Sequence, residues 1–181
     1  MSGRTLISVP NHTEKVPFGV LTSFAYKVKD SDEEMVIATT RLETMLGDVA
    51  VAVHPEDPRY KHLHGKELVH PFLDRTLKVI TDGTLVDMNY GTGCVKITPA
   101  HDQNDFECGT RHNLEMIQIF NDDGLMNRHC GEFVGMKRFE CRAKLLALMK
   151  ERGIFRGDQD NPMVLGICTR SKDVIEPMLR P

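Results

Sequence analysis

Lys96, Thr98, His101, Asp102 and Asp105 fall within ten residues of one another, inside the stretch GTGCVKITPAHDQNDFECG at positions 91 to 109. An ammonium, a hydroxyl, an imidazole and two carboxylates at this density can hold a polar substrate, orient a water or take up a proton, and stabilise developing charge. Spacing decides which of them can meet. Lys96 and Thr98 are two apart at the exit of a short apolar run, so on a strand they point to one face. Asp102 and Asp105 are three apart and share one face of a following helix. The two pairs can converge. Asp102-x-x-Asp105 also has a plainer reading, because carboxylates in a first helical turn favour the helix dipole whatever the protein does.

A second polar gathering is Thr39-Thr40-Arg41-Leu42-Glu43-Thr44, followed by Gly47 and Asp48. It reads either as part of a site or as a strand exit opening a helical turn, with Glu43 in a capping role. Gly91-Thr92-Gly93 fits a tight turn and matches neither phosphate-binding glycine pattern. No Gly-x-Ser-x-Gly elbow is present, which removes the commonest serine-hydrolase reading. The eight histidines include His62 and His64, but no spacing supplies the three or four converging ligands that a metal needs, so no metal is expected. His101 is expected to orient a loop by hydrogen bonding. Cys94 and Cys108 lack a paired histidine and read as core residues. Five widely spaced cysteines with no C-x-x-C pair argue against a disulfide framework.

A chain of 181 residues suits one large domain able to bury roughly 70% of its unfolded surface. No apolar run approaches the ~18 residues of a membrane helix, so no membrane partner is expected. The first ten residues contain no basic segment followed by an apolar core, and nothing is rich in arginine, which points to a cytoplasmic location. The net charge of -3 gives no overall basic field. Any contact with RNA is then local, or is supplemented by neighbouring domains.

Along the chain, residues 1–17 read as an irregular lead-in. Strands are expected at 18–28 and 35–38, forming a hairpin about the acidic turn 30–34. The run 49–53 is apolar on both faces, as in a central strand covered on both sides. A short helix opens at Asp57-Pro58 and runs to Leu63. Strands follow at 67–72, 76–81 and 94–97, with a brief element at 86–89, and a short helix starts at Asp102. A strand at 115–120 precedes the longest helix, 138–152, whose stripe is Phe139, Ala143, Leu146 and Met149 and whose stop is Gly153. A last strand is expected at 163–168. Many short strands and few helices define an α+β, strand-rich domain over 1–181.

Three stretches carry a resemblance: ATTRLETMLGDVAVAVHPEDPRY at 38–60, YGTGCVKITPAHDQNDFECG at 90–109 and NPMVLGICTRSKDVIEPMLRP at 161–181. They closely resemble the inserted editing domain of valyl-tRNA synthetase, a class I aminoacyl-tRNA synthetase, and the similarity extends over nearly the whole chain from about residue 18. Cys94 stands where alanine is more usual in that family, and Leu42 where proline is common in bacterial relatives; neither departure removes a polar group.

The resemblance implies a closed or nearly closed β-barrel. It also implies hydrolysis of threonine wrongly esterified to the 3' acceptor end of tRNA(Val), within a parent synthetase whose catalytic domain is the second partner. On that footing Asp105, Lys96, Thr40 and Arg41 form the catalytic set, with Asp105 binding the α-ammonium. Thr39, Glu43, Asp48, Thr98, His101 and Asp102 form the substrate-binding set. Editing needs no cofactor; ATP and magnesium belong to the synthetic domain, whose His-x-Gly-His and Lys-Met-Ser-Lys-Ser signatures are absent here. Two alternatives stay open: a noncatalytic module holding the tRNA acceptor end, and hydrolysis of threonyl-adenylate before transfer.

Overall fold

The computed structural model describes residues 1–180. Its elements in chain order are β1 (Thr5–Ile7), β2 (Val16–Phe18), β3 (Val20–Val28), β4 (Glu34–Thr39), β5 (Ala50–Val53), β6 (Glu67–Val69), β7 (Thr76–Thr81), β8 (Cys94–Ile97), α1 (Gln103–Arg111), α2 (Arg138–Glu151) and β9 (Phe155–Asp160). β3 and β4 form the expected antiparallel hairpin, in which Thr22 faces Thr39. The opposite side of β3 pairs with β9 over its first half and with β6 at its last two residues. β6 pairs antiparallel with β7, β7 runs parallel to β5, and β5 pairs antiparallel with β8.

The hydrogen-bonded path is therefore β4-β3-β6-β7-β5-β8, and its two end strands lie against each other without a ladder. This is a nearly closed barrel with one open seam. Following the pairing senses around the path, β4 and β8 run in the same direction, so their C-terminal ends leave at the same mouth. That topology brings residues 39–48 and 96–105 together.

All four residues of β5 are buried. Val51 and Val53 pack with Phe24, Tyr26, Ile37, Leu77 and Val79 inside the barrel, whereas Ala50 and Ala52 pack with Val86, Ile97 and Cys108 on the outside. Cover on both faces is what an uninterrupted apolar run demands, and each large side chain so buried contributes roughly 1.5–3 kcal/mol.

Several expectations need correction. The lead-in is not irregular throughout, because β1 and β2 pair with each other, and Val9, Val16 and Phe18 pack on Phe139 of α2. Gly19, at φ +70, separates β2 from β3; a Cβ there would stand 2.2 Å from the Gly3 carbonyl oxygen. The expected helix at 57–63 is a 3-10 turn confined to Lys61–Leu63, and 86–89 is a turn. The strand expected at 67–72 stops at Val69. Residues 115–120 and 163–168 offer only the isolated bridges Phe120 to Met126 and Ile167 to Val174.

The missed strand is β9, FRGDQD, a polar edge strand whose only ladder is with β3 and which needs no apolar alternation. Helix α2 has nearly the expected limits, and of the expected stripe Phe139 and Met149 are buried and Leu146 is partly buried against the core, but Ala143 is exposed and Arg138, Cys141 and Leu145 are buried instead. The helix is turned so that Arg138 and Arg142 point into the protein. Among the described residues no helix is long and apolar enough to cross a membrane.

Candidate functional site

Inward positions change character as the strands approach the shared mouth. On β4 the sequence inward is Met35, Ile37, then Thr39; on β3 it is Tyr26, Phe24, then Thr22; on β8, Lys96 stands opposite Val51 of β5. A cavity of about 520 Å³ opens there along the seam. Thr39, Thr40 and Arg41 line it from the β4 exit, and Lys96, Thr98, His101, Asp102 and Asp105 line it from the β8 exit and the start of α1.

Lys96 donates to Asp48 Oδ1 at 2.8 Å, and Thr98 Oγ1 donates to the same oxygen at 2.6 Å. Lys96 also donates to Thr98 Oγ1. The other Asp48 oxygen accepts the Tyr26 hydroxyl at 2.7 Å, and burial with the Asp48 charge pushes that phenol well above its ordinary range. Asp48 is fully buried and does not line the cavity. It stands behind Lys96 as counter-charge. An ammonium has three N–H donors, and two are taken here, which leaves one for a ligand.

Asp102 is the N-cap of α1. Its Oδ1 accepts from the backbone N–H of Asn104 at 2.9 Å and of Asp105 at 3.1 Å. The plain capping reading of Asp102 thus holds, and the residue lines the cavity as well. Asp105, one turn into the helix, accepts from the Thr98 N–H at 2.8 Å through Oδ2. Burial pushes its pKa up to about 7; nearby Lys96 works the other way, and Asp102 and Asp48 reinforce the rise. A carboxylate held in this state favours a cationic ligand, whose charge would stabilise its ionised form.

Arg41 donates to the His101 carbonyl at 2.8 Å and to Glu176, and its own backbone N–H is taken by Thr39 Oγ1 at 3.0 Å. Glu43 is fully buried and faces away from the cavity. Arg142 grips it at 2.7 and 2.8 Å. Burial works to raise the Glu43 pKa, but Arg142 and Arg41 outweigh it and hold the group below the ordinary carboxylate range.

The His101 ring is buried between the Pro177 carbonyl, 3.1 Å from Nδ1, and the Ile119 N–H, 3.1 Å from Nε2. One neutral tautomer, with the proton on Nδ1, satisfies both. Burial pushes its pKa down to about 4. His101 therefore organises the loop and has no free nitrogen to act as a base.

Of the ten residues expected from the sequence, the structure brings eight to the cavity and sets Glu43 and Asp48 behind it. Two others were missed. Tyr90 is 75% exposed at the rim, and an aromatic beside the Gly91-Thr92-Gly93 turn was the available signal. Glu176 reaches Arg41 from 135 residues away, and nothing local announced it. Away from the cavity, Asp82, Cys108 and His112 offer ligand-type atoms within 4.8 Å of one another, but Arg111 already occupies the same Asp82 oxygen at 2.8 Å.

The family model for the leucyl-tRNA synthetase editing domain matches residues 62–132. A valine-tRNA ligase of Schizosaccharomyces pombe is 61% identical over 179 residues, which is 99% of this chain and 18% of that protein. The chain thus spans under a fifth of that relative. Two solved structures share the fold at low identity. The LeuRS of Agrobacterium radiobacter K84, in a ternary complex with tRNA and LeuAMS, is 17% identical with a TM-score of 0.61 over 88% of this chain and 24% of that one. GlLeuRS-CP1 is 12% identical with a TM-score of 0.59 over 78% of this chain and 99% of that one. The chain is thus similar over its whole length to one segment of valine-tRNA ligases and, over residues 62–132, to the editing domain of leucyl-tRNA synthetase.

Proposed function

We propose that the chain hydrolyses the ester that joins threonine to the 3' end of mischarged tRNA(Val), as an inserted part of a larger synthetase. The observation that carries this reading is the pairing, in one cavity, of a buried carboxylate at Asp105 with a buried ammonium at Lys96. An aminoacyl ester presents an ammonium, a carbonyl oxygen and, for threonine, a side-chain hydroxyl. Asp105 meets the ammonium. The spare N–H of Lys96 and the guanidinium of Arg41 meet the oxygens, where charge develops during attack on the ester.

Valine and threonine are near isosteres, and the first selection by valyl enzymes is known to reject threonine only weakly. A second site can be sharper. A cavity whose polar groups are satisfied by the threonine hydroxyl leaves one unpaired when valine enters, at a cost of roughly 1–3 kcal/mol. Thr39, Thr40, Thr98 and Asp102 are the candidates for that hydroxyl and for the ribose. Tyr90 offers an exposed ring at the rim on which a terminal base can stack.

A water is the nucleophile. Cys94 lines the cavity, but burial raises its thiol pKa, and His101 is fully occupied by backbone. The neighbouring ribose hydroxyl can assist by orienting the water. Neither this step nor binding calls for a metal or cofactor. The A. radiobacter LeuRS is described with tRNA, and that favours an RNA substrate for this chain as well. With a net charge of -3, most of the grip on tRNA comes from the rest of the parent enzyme.

The test is deacylation of threonyl-tRNA(Val) and valyl-tRNA(Val) by wild type and Asp105→Ala. The expected result is preferential loss of threonine, abolished by the substitution. Protection of the threonyl ester, without cleavage, would instead identify a noncatalytic acceptor-end module. Cleavage of threonyl-adenylate alone would move the activity to the step before transfer.

A further inference from the structure

We infer that Glu176 is a positioning residue of the hydrolytic site, holding the Arg41 guanidinium at the barrel mouth. The inference rests on the editing reading above only for its activity readout. Arg41 lies in a chain of alternating charges that crosses three parts of the fold. Arg142 on α2 pairs with Glu43 at 2.7 Å; Arg41 Nε stands 3.9 Å from Glu43; Arg41 pairs with Glu176; Arg138 Nη1 pairs with Glu176 at 3.1 Å; Arg138 Nη2 pairs with Asp173 at 2.8 Å.

Arg41 therefore sits between two carboxylates that compete for it. Glu43 pulls it back under the 3-10 turn Leu42–Gly47, and Glu176 pulls it toward the mouth. The side chains of Glu176 and Arg41 are 13% and 26% exposed, so the contact is shielded and strong enough to decide the contest. With the Glu176 charge removed, the nearest remaining anion is Glu43, and the guanidinium has reason to swing away from the cavity.

The segment bearing Glu176 is fastened independently of that contact. Pro177 accepts from His101, the Leu179 N–H donates to the Ala100 carbonyl at 2.8 Å, Gln118 donates to the Leu179 carbonyl, and Arg138 donates to the Val174 carbonyl at 2.6 Å. Glu176 is thus presented by an anchored backbone. Its replacement alters the charge on Arg41 without releasing the segment.

The experiment compares Glu176→Gln, Glu176→Asp, Arg41→Ala and the Arg41→Ala/Glu176→Gln double variant in the full-length enzyme that carries this chain. Thermal melting of Glu176→Gln, which is nearly isosteric, checks the fold. Expected is a fall of about tenfold in kcat/KM for threonyl-tRNA deacylation, partly restored in Glu176→Asp, with no further fall when Glu176→Gln is added to Arg41→Ala. Additive losses, or a normal rate in folded Glu176→Gln, overturn the inference.

A readout independent of hydrolysis is the Arg41 side-chain N–H resonance in the 181-residue chain. It should lose its protection from solvent exchange in Glu176→Gln and keep it in Glu176→Asp. An unchanged Arg41 signal sinks the positioning role even if the enzyme is inactive on threonyl-tRNA. Loss of protection in an enzyme that does not deacylate would leave positioning intact and sink only the editing reading.

Discussion

The Nζ of Lys96 stands 2.8 Å from Oδ1 of Asp48, with the lysine side chain 9% exposed and the aspartate fully enclosed. Neither charge has much water to fall back on. Replacing Asp48 by Ala is expected to cost roughly 3–5 kcal/mol in urea unfolding, because a buried ammonium is left without its counter-charge. The pair Asp48→Asn with Lys96→Met should recover much of that stability and none of the hydrolysis. Full activity in the double variant would show that Lys96 serves the fold alone.

Asp105 ties activity to pH. Burial pushes its carboxyl pKa up to about 7, so the ionised form, to which the proposed function assigns the substrate ammonium, is gained as pH rises toward and past 7. The kcat/KM for threonyl esters should climb through that range and then level off, where a site free of such a group would be flat. Asp105→Asn should remove the climb along with most of the activity.

The same group makes stability depend on pH in the opposite sense. The folded pKa lies above the unfolded value of roughly 3.9, so the folded state holds the proton more tightly. The stabilising contribution is complete below about pH 4 and is lost as pH rises through about 7. In Asp105→Asn that decline should vanish, leaving the variant at least as stable as wild type at pH 8. A variant clearly less stable at pH 8 would mean that the ionised carboxylate contributes to the fold.

Arg142 and Glu43 offer a contrast with ion pairs at the surface. Arg142→Ala leaves Glu43 enclosed without its bidentate partner and is expected to cost about 3–5 kcal/mol. Some of the loss is packing, since the guanidinium also lies 4.7 Å over the Phe139 ring. Lys27→Ala, which breaks an exposed pair with Asp32, should change stability by under ~1 kcal/mol. Equal effects from the two would contradict the burial argument.

Gly109 tests how tightly α1 is seated. Inside a helix Gly→Ala ordinarily stabilises by about 0.5–1 kcal/mol. Here a Cβ would meet Pro99 at 2.9 and 3.0 Å, and the proline ring cannot yield easily. Gly109→Ala should therefore destabilise by about 1–3 kcal/mol and slow hydrolysis, as α1 lifts Asp105 away from Thr98. A more stable, fully active variant would show that the helix has room to adjust.

Local pattern carried a large part of this. The runs that became β3, β4, β5, β7 and β8 announced themselves by alternation or by unbroken apolar character, and α1 by its Asp102 cap. The two stretches that form the cavity were legible because their polar residues sit at strand exits. What could not be read was side and depth. Glu43 and Asp48 are close to the site in sequence, yet both face inward, and this depends on Arg142 and Lys96 arriving from distant elements. β9 was hidden because an edge strand need not alternate, and Glu176 because its partner lies 135 positions away. The barrel itself came from the resemblance, since strand order is not written in any single run.

The gap between β4 and β8 sets a condition on how the chain can vary. Both strands run the same way and lie side by side, and yet no ladder joins them. The cavity is lined from both edges, by Ala38 and Thr39 on one side and by Cys94, Val95 and Lys96 on the other. A substitution that let these edges zip together would gain hydrogen bonds and close the cavity that opens along the seam. The cavity is thus preserved by a shortfall in sheet pairing, and a fully laddered barrel would lose its opening at the seam.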